Sequence, residues 1–168
     1  MKEFVVLVDE NNNEIGTMEK LEAHEKGILH RAISIFVFND AGELLLQQRA
    51  KHKYHAGGLW TNTVCSHPRL GETYEDAVQR RLQEEMGFTC PLEKFGEIVY
   101  NVGFLEGDLR EHEHDTIFIG TYNGEVNPNT EEAMDYKWIN LDELKKDIKE
   151  NKDFYTPWFV EIFKKFYS

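Results

Sequence analysis

An α/β fold is predicted, specifically an α/β/α sandwich around a mixed β-sheet, in a single domain spanning residues 1–168. Three observations point to it. Short runs rich in β-branched and aromatic residues recur along the chain and alternate with segments of helical period. A length of 168 residues makes one domain and is enough to bury a core. The composition, 40% hydrophobic and 30% charged, is that of a globular protein in water.

Charge and apolar patterning narrow the function classes. Nineteen basic residues stand against 31 acidic ones, a formal charge of −12, whereas a nucleic-acid binder carries a basic excess. Nucleic acid is therefore not expected as a partner. No apolar run approaches the roughly 18 residues of a membrane span, and MKEFVVLVDE lacks the basic-then-apolar layout of a signal peptide. Neither a membrane nor export is expected, which leaves the cytoplasm. Cys65 and Cys90 form no disulfide framework and belong to no CxxC pair, as suits a reducing compartment.

Taken in order, residues 3–8 and 14–18 are β-type runs separated by DENNN and read as a hairpin. LEAHEKGILH follows and sets His24 and His30 on either side of Gly27. Residues 32–38 form a strand that NDAG turns into a second one over 43–48, and the two predict the centre of the sheet. Arg49, Lys51 and Lys53 come directly after; such a cluster is either a solvated face or an anion site. Residues 60–64 are predicted extended and lead to Cys65, amid Thr61, Asn62, Thr63, Ser66 and His67. On an extended backbone Cys65 and His67 project the same way. A metal or imidazolium beside that sulfur would favour thiolate. Cys90 reads as a small buried hydrophobe.

The helix after His67 is the best-defined element. Thr73, three residues before Asp76, is a capping pattern, so the helix is expected to begin near Tyr74, with Gly87 stopping it. Ala77, Val78, Leu82, Glu85 and Met86 recur at three-to-four spacing and share one face. Glu85 and Arg81, four apart, either form an ion pair at the edge of that face or leave Glu85 pointing into a site to hold a cation.

Residues 94–103 and 114–122 are β-like, with the polar GDLREHEHD ahead of the second. Within EHEHD, Glu111, Glu113 and Asp115 fall on one face of a strand, and His112 and His114 on the other, read as solvent-facing. Same-face acids repel unless a cation or a proton lies between them; a solvated, aggregation-resistant edge is the alternative. Residues 135–139 predict a last strand, and Asn140 with Glu143 opens a peripheral helix. Thr156 and Pro157 open a final helix whose Phe159, Ile162, Phe163 and Phe166 make a core stripe.

Arg80, Leu82, Glu84, Glu85, Gly87 and Phe88, with Glu72 eight residues before Arg80, resemble the Nudix box, whose acidic helix binds magnesium beside a diphosphate. Ser66 and Arg81 depart from it, standing where the box has glycine and a further glutamate. Losing that carboxylate weakens a hydrolytic reading, since hydrolysis needs several carboxylates for metal ions and water, and Arg81 suits a phosphate. These departures, together with TNTVCSHP, KGILHRA, LLLQQR, EHEHD and TPWF, resemble the type I isopentenyl-diphosphate isomerases, a Nudix branch that moves a double bond.

The resemblance implies a Nudix-type sandwich, a prenyl diphosphate as substrate and a set of site residues. His24, His30, His67, Glu111 and Glu113 would bind one divalent ion, manganese or zinc; Glu85, with the Cys65 backbone carbonyl, would bind magnesium carrying the diphosphate. Lys20, Arg49, Lys53 and Arg81 would grip the phosphates. Cys65 and Glu113 would exchange protons with the substrate from opposite sides, Tyr100 would orient Glu113, and Trp158 would stabilise a carbocation. A Nudix hydrolase, favoured by Glu84 and Glu85, and a non-catalytic metal-dependent binding module are the competing readings.

Overall fold

The computed structural model describes residues 3–53, 56–103 and 109–167; Gly107 and Asp108, at the head of GDLREHEHD, lie outside them. The strands are β1 (Phe4–Val8), β2 (Glu14–Glu19), β3 (His30–Phe38), β4 (Leu44–Arg49), β5 (Trp60–Thr61), β6 (Val64–Ser66), β7 (Leu92–Gly103), β8 (Arg110–Thr121) and β9 (Ala133–Ile139). The helices are α1 (Lys20–Lys26), α2 (Tyr74–Met86), α3 (Leu141–Glu150) and α4 (Pro157–Phe166), with a 3-10 turn at Lys152–Phe154.

The sheet is organised around β3. On one side it runs parallel to β8 over its whole length, from His30 opposite Glu113 to Phe38 opposite Thr121. On the other side three antiparallel partners divide it: β1 at His30, β6 at Ile33 to Ile35, and β4 at Phe38. β7 pairs antiparallel with the far edge of β8, and β9 with β4, so the sheet is mixed as expected.

Alternation along β3 separates two apolar layers. Ile33, Ile35 and Val37 face Ala77, Val78, Leu82 and Met86 of α2. Phe36 lies in the opposite layer, with Leu144 of α3 and Trp158, Phe159, Ile162 and Phe163 of α4. This is the α/β/α sandwich. Among the described residues, no helix is long and apolar enough to cross a membrane.

Two local expectations are corrected, and one element without a sequence assignment is added. NDAG does make a turn, with Asn39 Oδ1 accepting from the backbone N–H of Ala41 and Glu43. Yet β3 and β4 meet only at Phe38 and Leu44, because β6 takes the position beside β3 that a long hairpin would fill. His114 is buried rather than solvent-facing, and His112 is half-buried, its Nδ1 3.0 Å from the Gly27 carbonyl. The reason is that β8 is an internal strand, and its Phe118, on the histidine-bearing face, packs in the layer under α2. The solvated-edge reading of EHEHD falls with it. Finally, residues 20–26 form α1, which brings His24 inward at 0% exposure.

α2 has the ends its sequence dictates. The Thr73 side chain accepts from the Asp76 N–H, and Gly87 closes the helix at φ +76°. The loop that later returns to the sheet is tied to this end, with Asn127 N–H donating to the Met86 carbonyl and Asn129 N–H to that of Glu85, both at 3.0 Å. A Cβ at Gly87 would collide with the Asn127 carbonyl oxygen. Gly87→Ala should therefore destabilise the protein by at least about 1 kcal/mol, through left-handed strain and that collision, read as a lowered urea midpoint. Ahead of α2, Arg80 clasps Glu72 with two hydrogen bonds of 2.7 and 2.9 Å, and this guanidinium holds the Glu72 carboxyl below its ordinary value. A depressed folded-state value adds stability above the ordinary carboxylate range that is lost as pH falls through the lower value. Glu72→Gln should cost about 1 kcal/mol at neutral pH, and the gap in urea midpoints should close on acidification.

Candidate active site

The parallel register of β3 and β8 sets His30 against Glu113, and the antiparallel register of β7 and β8 sets Tyr100 against the same residue. Three strands thus deliver an imidazole, a carboxylate and a phenol in one row. His24 comes from α1, Glu111 from two residues earlier on β8, and His67 from just beyond β6. One ligand atom from each of His24, His30, His67, Glu111 and Glu113 lies within 4.8 Å of all the others. His24 Nε2 is 3.0 Å from the Glu111 carboxylate, while His30 and His67 Nε2 lie 2.9 and 2.7 Å from Glu113 Oε2.

The tautomers make this a cation site. His24 Nδ1 is 2.6 Å from the Lys20 carbonyl, and His30 Nδ1 is 2.8 Å from that of Ile28. A carbonyl oxygen only accepts, so each Nδ1 carries the hydrogen and each Nε2 offers a lone pair to the carboxylates. Acceptors facing acceptors at about 3 Å need a cation or a proton between them. Burial, with help from His67, depresses His24 to about 4, so the proton is disfavoured at neutral pH. The donor set, three imidazoles and two carboxylates, fits a divalent ion. Burial raises Glu111 well above the usual carboxylate range. For Glu113 the same burial is outweighed, first by a hydrogen bond with Glu111, and it is held well below that range.

Cys65 sits at the mouth of the same cleft. Its thiol donates to Asn62 Oδ1 at 2.9 Å, and the Trp158 indole N–H donates to the sulfur at 2.9 Å. Burial, followed by the nearby Asp115 carboxyl, pushes the thiol up to about 12. The thiol form is thus favoured over thiolate, because burial and Asp115 outweigh the hydrogen bonds from Thr61 and Trp158 and the charge of Arg49, and His67 is engaged with Glu113.

A hydrogen-bonded chain runs from Glu113 through Tyr100 and Asp115 to Ser34, which lies beside Cys65. The Tyr100 hydroxyl lies between Glu113 Oε1 at 2.6 Å and Asp115 Oδ2 at 2.7 Å. It has one hydrogen to give, so one of these contacts requires the carboxyl's own proton. Asp115, pushed to about 8 by burial and by Glu113, can carry it. Ser34 Oγ donates to Asp115 Oδ2 at 2.6 Å and is 3.9 Å from Cys65 Sγ.

The cleft encloses about 470 Å³, counting its open mouth, and places four basic side chains, Lys20, Arg49, Lys53 and Arg81, beside Glu85, Glu111, Glu113 and Glu132. Lys20 pairs with Glu3 at 2.6 Å at the rim. Arg49 stacks on the Trp158 ring, 5.1 Å from its centroid, so one face of that indole already meets a cation. Arg81 reaches Glu85 at 2.7 Å, so the i,i+4 pair and the inward-pointing carboxylate are both present. The other Glu85 oxygen accepts from Gln47 Nε2 at 2.9 Å.

Every site residue singled out from the sequence gathers here, with His24 and His30 beneath the cleft and Tyr100 behind Glu113. Sequence reasoning missed Gln47, Ser34 and Glu132 as neighbours of the site. Gln47 was detectable, since it shares the period-two face of β4 with Arg49. Glu132 lies in an irregular loop with no periodic signal.

Basic residues and acids around a buried His/Glu cluster on this sandwich make a candidate divalent-metal site beside an anion-binding cleft. A family model described as NUDIX domain matches residues 28–159. A Photorhabdus laumondii protein described as isopentenyl-diphosphate Delta-isomerase 2 is 51% identical over 162 residues, covering 96% of this chain and 91% of that protein. One from Serratia proteamaculans, described as isopentenyl-diphosphate Delta-isomerase, is 46% identical, covering 98% and 91% respectively. The crystal structure of DR0079 from Deinococcus radiodurans matches with a TM-score of 0.79 at 17% identity, covering 99% of this chain and 100% of that one, which speaks to the fold alone. The chain belongs to the NUDIX superfamily and, within it, to the type I isopentenyl-diphosphate Delta-isomerases.

Titrating metal-free protein with a divalent transition-metal ion should raise its melting temperature, by about 2.7 kcal/mol of added stability at a hundredfold excess over the dissociation constant. His30→Ala should remove most of that gain, as read by calorimetry.

Proposed function

We propose that this chain converts isopentenyl diphosphate to dimethylallyl diphosphate with Cys65 and Glu113 as its proton-exchanging pair. The observation that carries the reading is that a half-buried thiol and a buried carboxylate open onto one cleft whose other walls hold four basic side chains.

The diphosphate binds at Lys20, Arg49, Lys53 and Arg81, Arg49 and Arg81 offering planar forks and the lysines point charges. This fixes the short hydrocarbon tail toward Cys65 and Glu113. The alkene π pair takes a proton at the terminal carbon, leaving a tertiary cation. The electron pair of a C–H bond on the neighbouring methylene then forms the new double bond as that proton leaves, so one group gives a proton and the other takes one. Tyr100 holds Glu113 in place through its 2.6 Å contact. The buried Trp158 ring excludes water and lends its π-face to the cation, worth roughly 2 kcal/mol when desolvated. His24, His30, His67, Glu111 and Glu113 would hold manganese or zinc, and Glu85 with the Cys65 carbonyl would hold magnesium beside the diphosphate. When bound, these ions supply fixed positive charge against the phosphates and the buried carboxylates. A free thiol at the centre of this chemistry suits the cytoplasm.

Wild-type protein incubated with isopentenyl diphosphate and magnesium in deuterated water should yield deuterium-bearing dimethylallyl diphosphate by NMR. Cys65→Ala and Glu113→Gln should each lower that rate by about 10²–10⁴-fold. Phosphate release without alkene migration, or a Cys65→Ala variant of undiminished rate, would refute the reading.

A further inference from the structure

We infer that Glu132 makes the cleft select a metal-complexed diphosphate over a bare one, by holding a fixed negative charge between two of the cations that grip the phosphates. The inference rests on the proposed function for the nature of the ligand and goes beyond it in assigning a residue outside the proton-exchanging, metal-binding and phosphate-gripping sets.

Glu132 Oε2 lies 2.7 Å from Lys53 Nζ and 3.2 Å from an Arg81 amino nitrogen. Those two side chains come from separate parts of the fold, the segment after β4 and the middle of α2, and converge on this one oxygen. A carboxylate oxygen thus stands where a phosphate oxygen would be gripped. Its placement is built in. The Glu132 N–H donates to the Asn129 carbonyl at 2.9 Å, the Glu132 carbonyl accepts from Ala50 N–H at 3.0 Å, and Asn129 N–H donates to the Glu85 carbonyl. Both ends of the peptide are held, so the side chain is presented from a fixed base. Lys53 and Arg81 outweigh burial and keep Glu132 below the usual carboxylate range, hence ionised at neutral pH.

The consequence is electrostatic. Four basic side chains in the cleft stand beside four carboxyl groups, and Glu132 is the one that lies between two of the cations assigned to the phosphates, where Glu85 meets Arg81 alone. A multiply charged diphosphate arriving alone competes with this carboxylate for the same two cations and meets its negative charge within the grip itself, in a partly dry cleft where like charges repel strongly. A diphosphate arriving with a divalent ion brings the charge that cancels this repulsion. Glu132 therefore filters by charge state, and the same repulsion hastens release of a product that has lost its ion.

The test measures binding of inorganic pyrophosphate by calorimetry, to protein whose His/Glu cluster is loaded, with and without excess magnesium. Glu132→Gln keeps the shape and an accepting oxygen but removes the charge. It should bind magnesium-free pyrophosphate about tenfold or more tightly than wild type while changing affinity for the magnesium complex by less than about threefold. Glu132→Asp keeps the charge and should keep wild-type discrimination. Unchanged or weaker binding of bare pyrophosphate by Glu132→Gln, equal gains for both forms, or loss of discrimination in Glu132→Asp would each overturn the inference. Failure of the isomerase reading would appear separately, as absent alkene migration by the wild type in deuterated water, with the pyrophosphate comparison still readable.

Discussion

The parallel pairing of β3 with β8 is the constraint from which the rest of the site follows. Side chains alternate along a strand, so a slip of one residue between these two would send Glu111 and Glu113 to the opposite face. The register is held by apolar residues on both faces: Ile33, Ile35 and Val37 against α2, Phe36 and Ile117 against the α4 layer. Packing at one end of the strand pair thereby fixes chemistry at the other. The geometry of the candidate site is a by-product of two ordinary cores, and it carries their precision.

Against that rigid frame the polar interior is heavily loaded. Glu111, Glu113 and Asp115 are almost wholly buried on one strand, with His24 and His30 fully covered. Such a concentration of ionisable groups costs several kcal/mol in desolvation unless each finds a partner. Partners are supplied by unlike means: carbonyls fix the imidazole tautomers, Tyr100 and Ser34 both bond one oxygen of Asp115, and the imidazole lone pairs are left directed at the carboxylates. The arrangement is complementary to a cation at its centre, which is the balance a metal site needs.

How far this was legible in the sequence depends on range. α2 could be read to the residue, because Thr73 and Gly87 are local signals and the apolar spacing between them is helical. Most strands could be placed from their β-branched runs, although β8 begins at Arg110, within the polar stretch expected to precede it. Seven-residue α1 could not, since Glu19 is an atypical cap and a helix that short shows no period; Gly27, its left-handed end, was the remaining clue. The single-residue meeting of β3 and β4, the burial of His114 and the thiol state of Cys65 all depend on which distant strand or side chain lies alongside, and no local pattern carries that. The family resemblance supplied the ligand set where spacing alone left solvated-edge and ion-pair alternatives open. Glu132 escaped both kinds of reading, being neither periodic nor part of a recognised motif.

The five-ligand cluster draws on positions from 24 to 113, spread over α1, β3, the segment after β6 and β8. A chain emerging from the ribosome exposes its three histidines long before the two glutamates exist, and β8 must slide in alongside β3 before the cage closes. A divalent ion held by this cluster would therefore bridge the N-terminal helix and the second half of the sheet. Loss of that ion should loosen α1 first, leaving the layer under α2 intact.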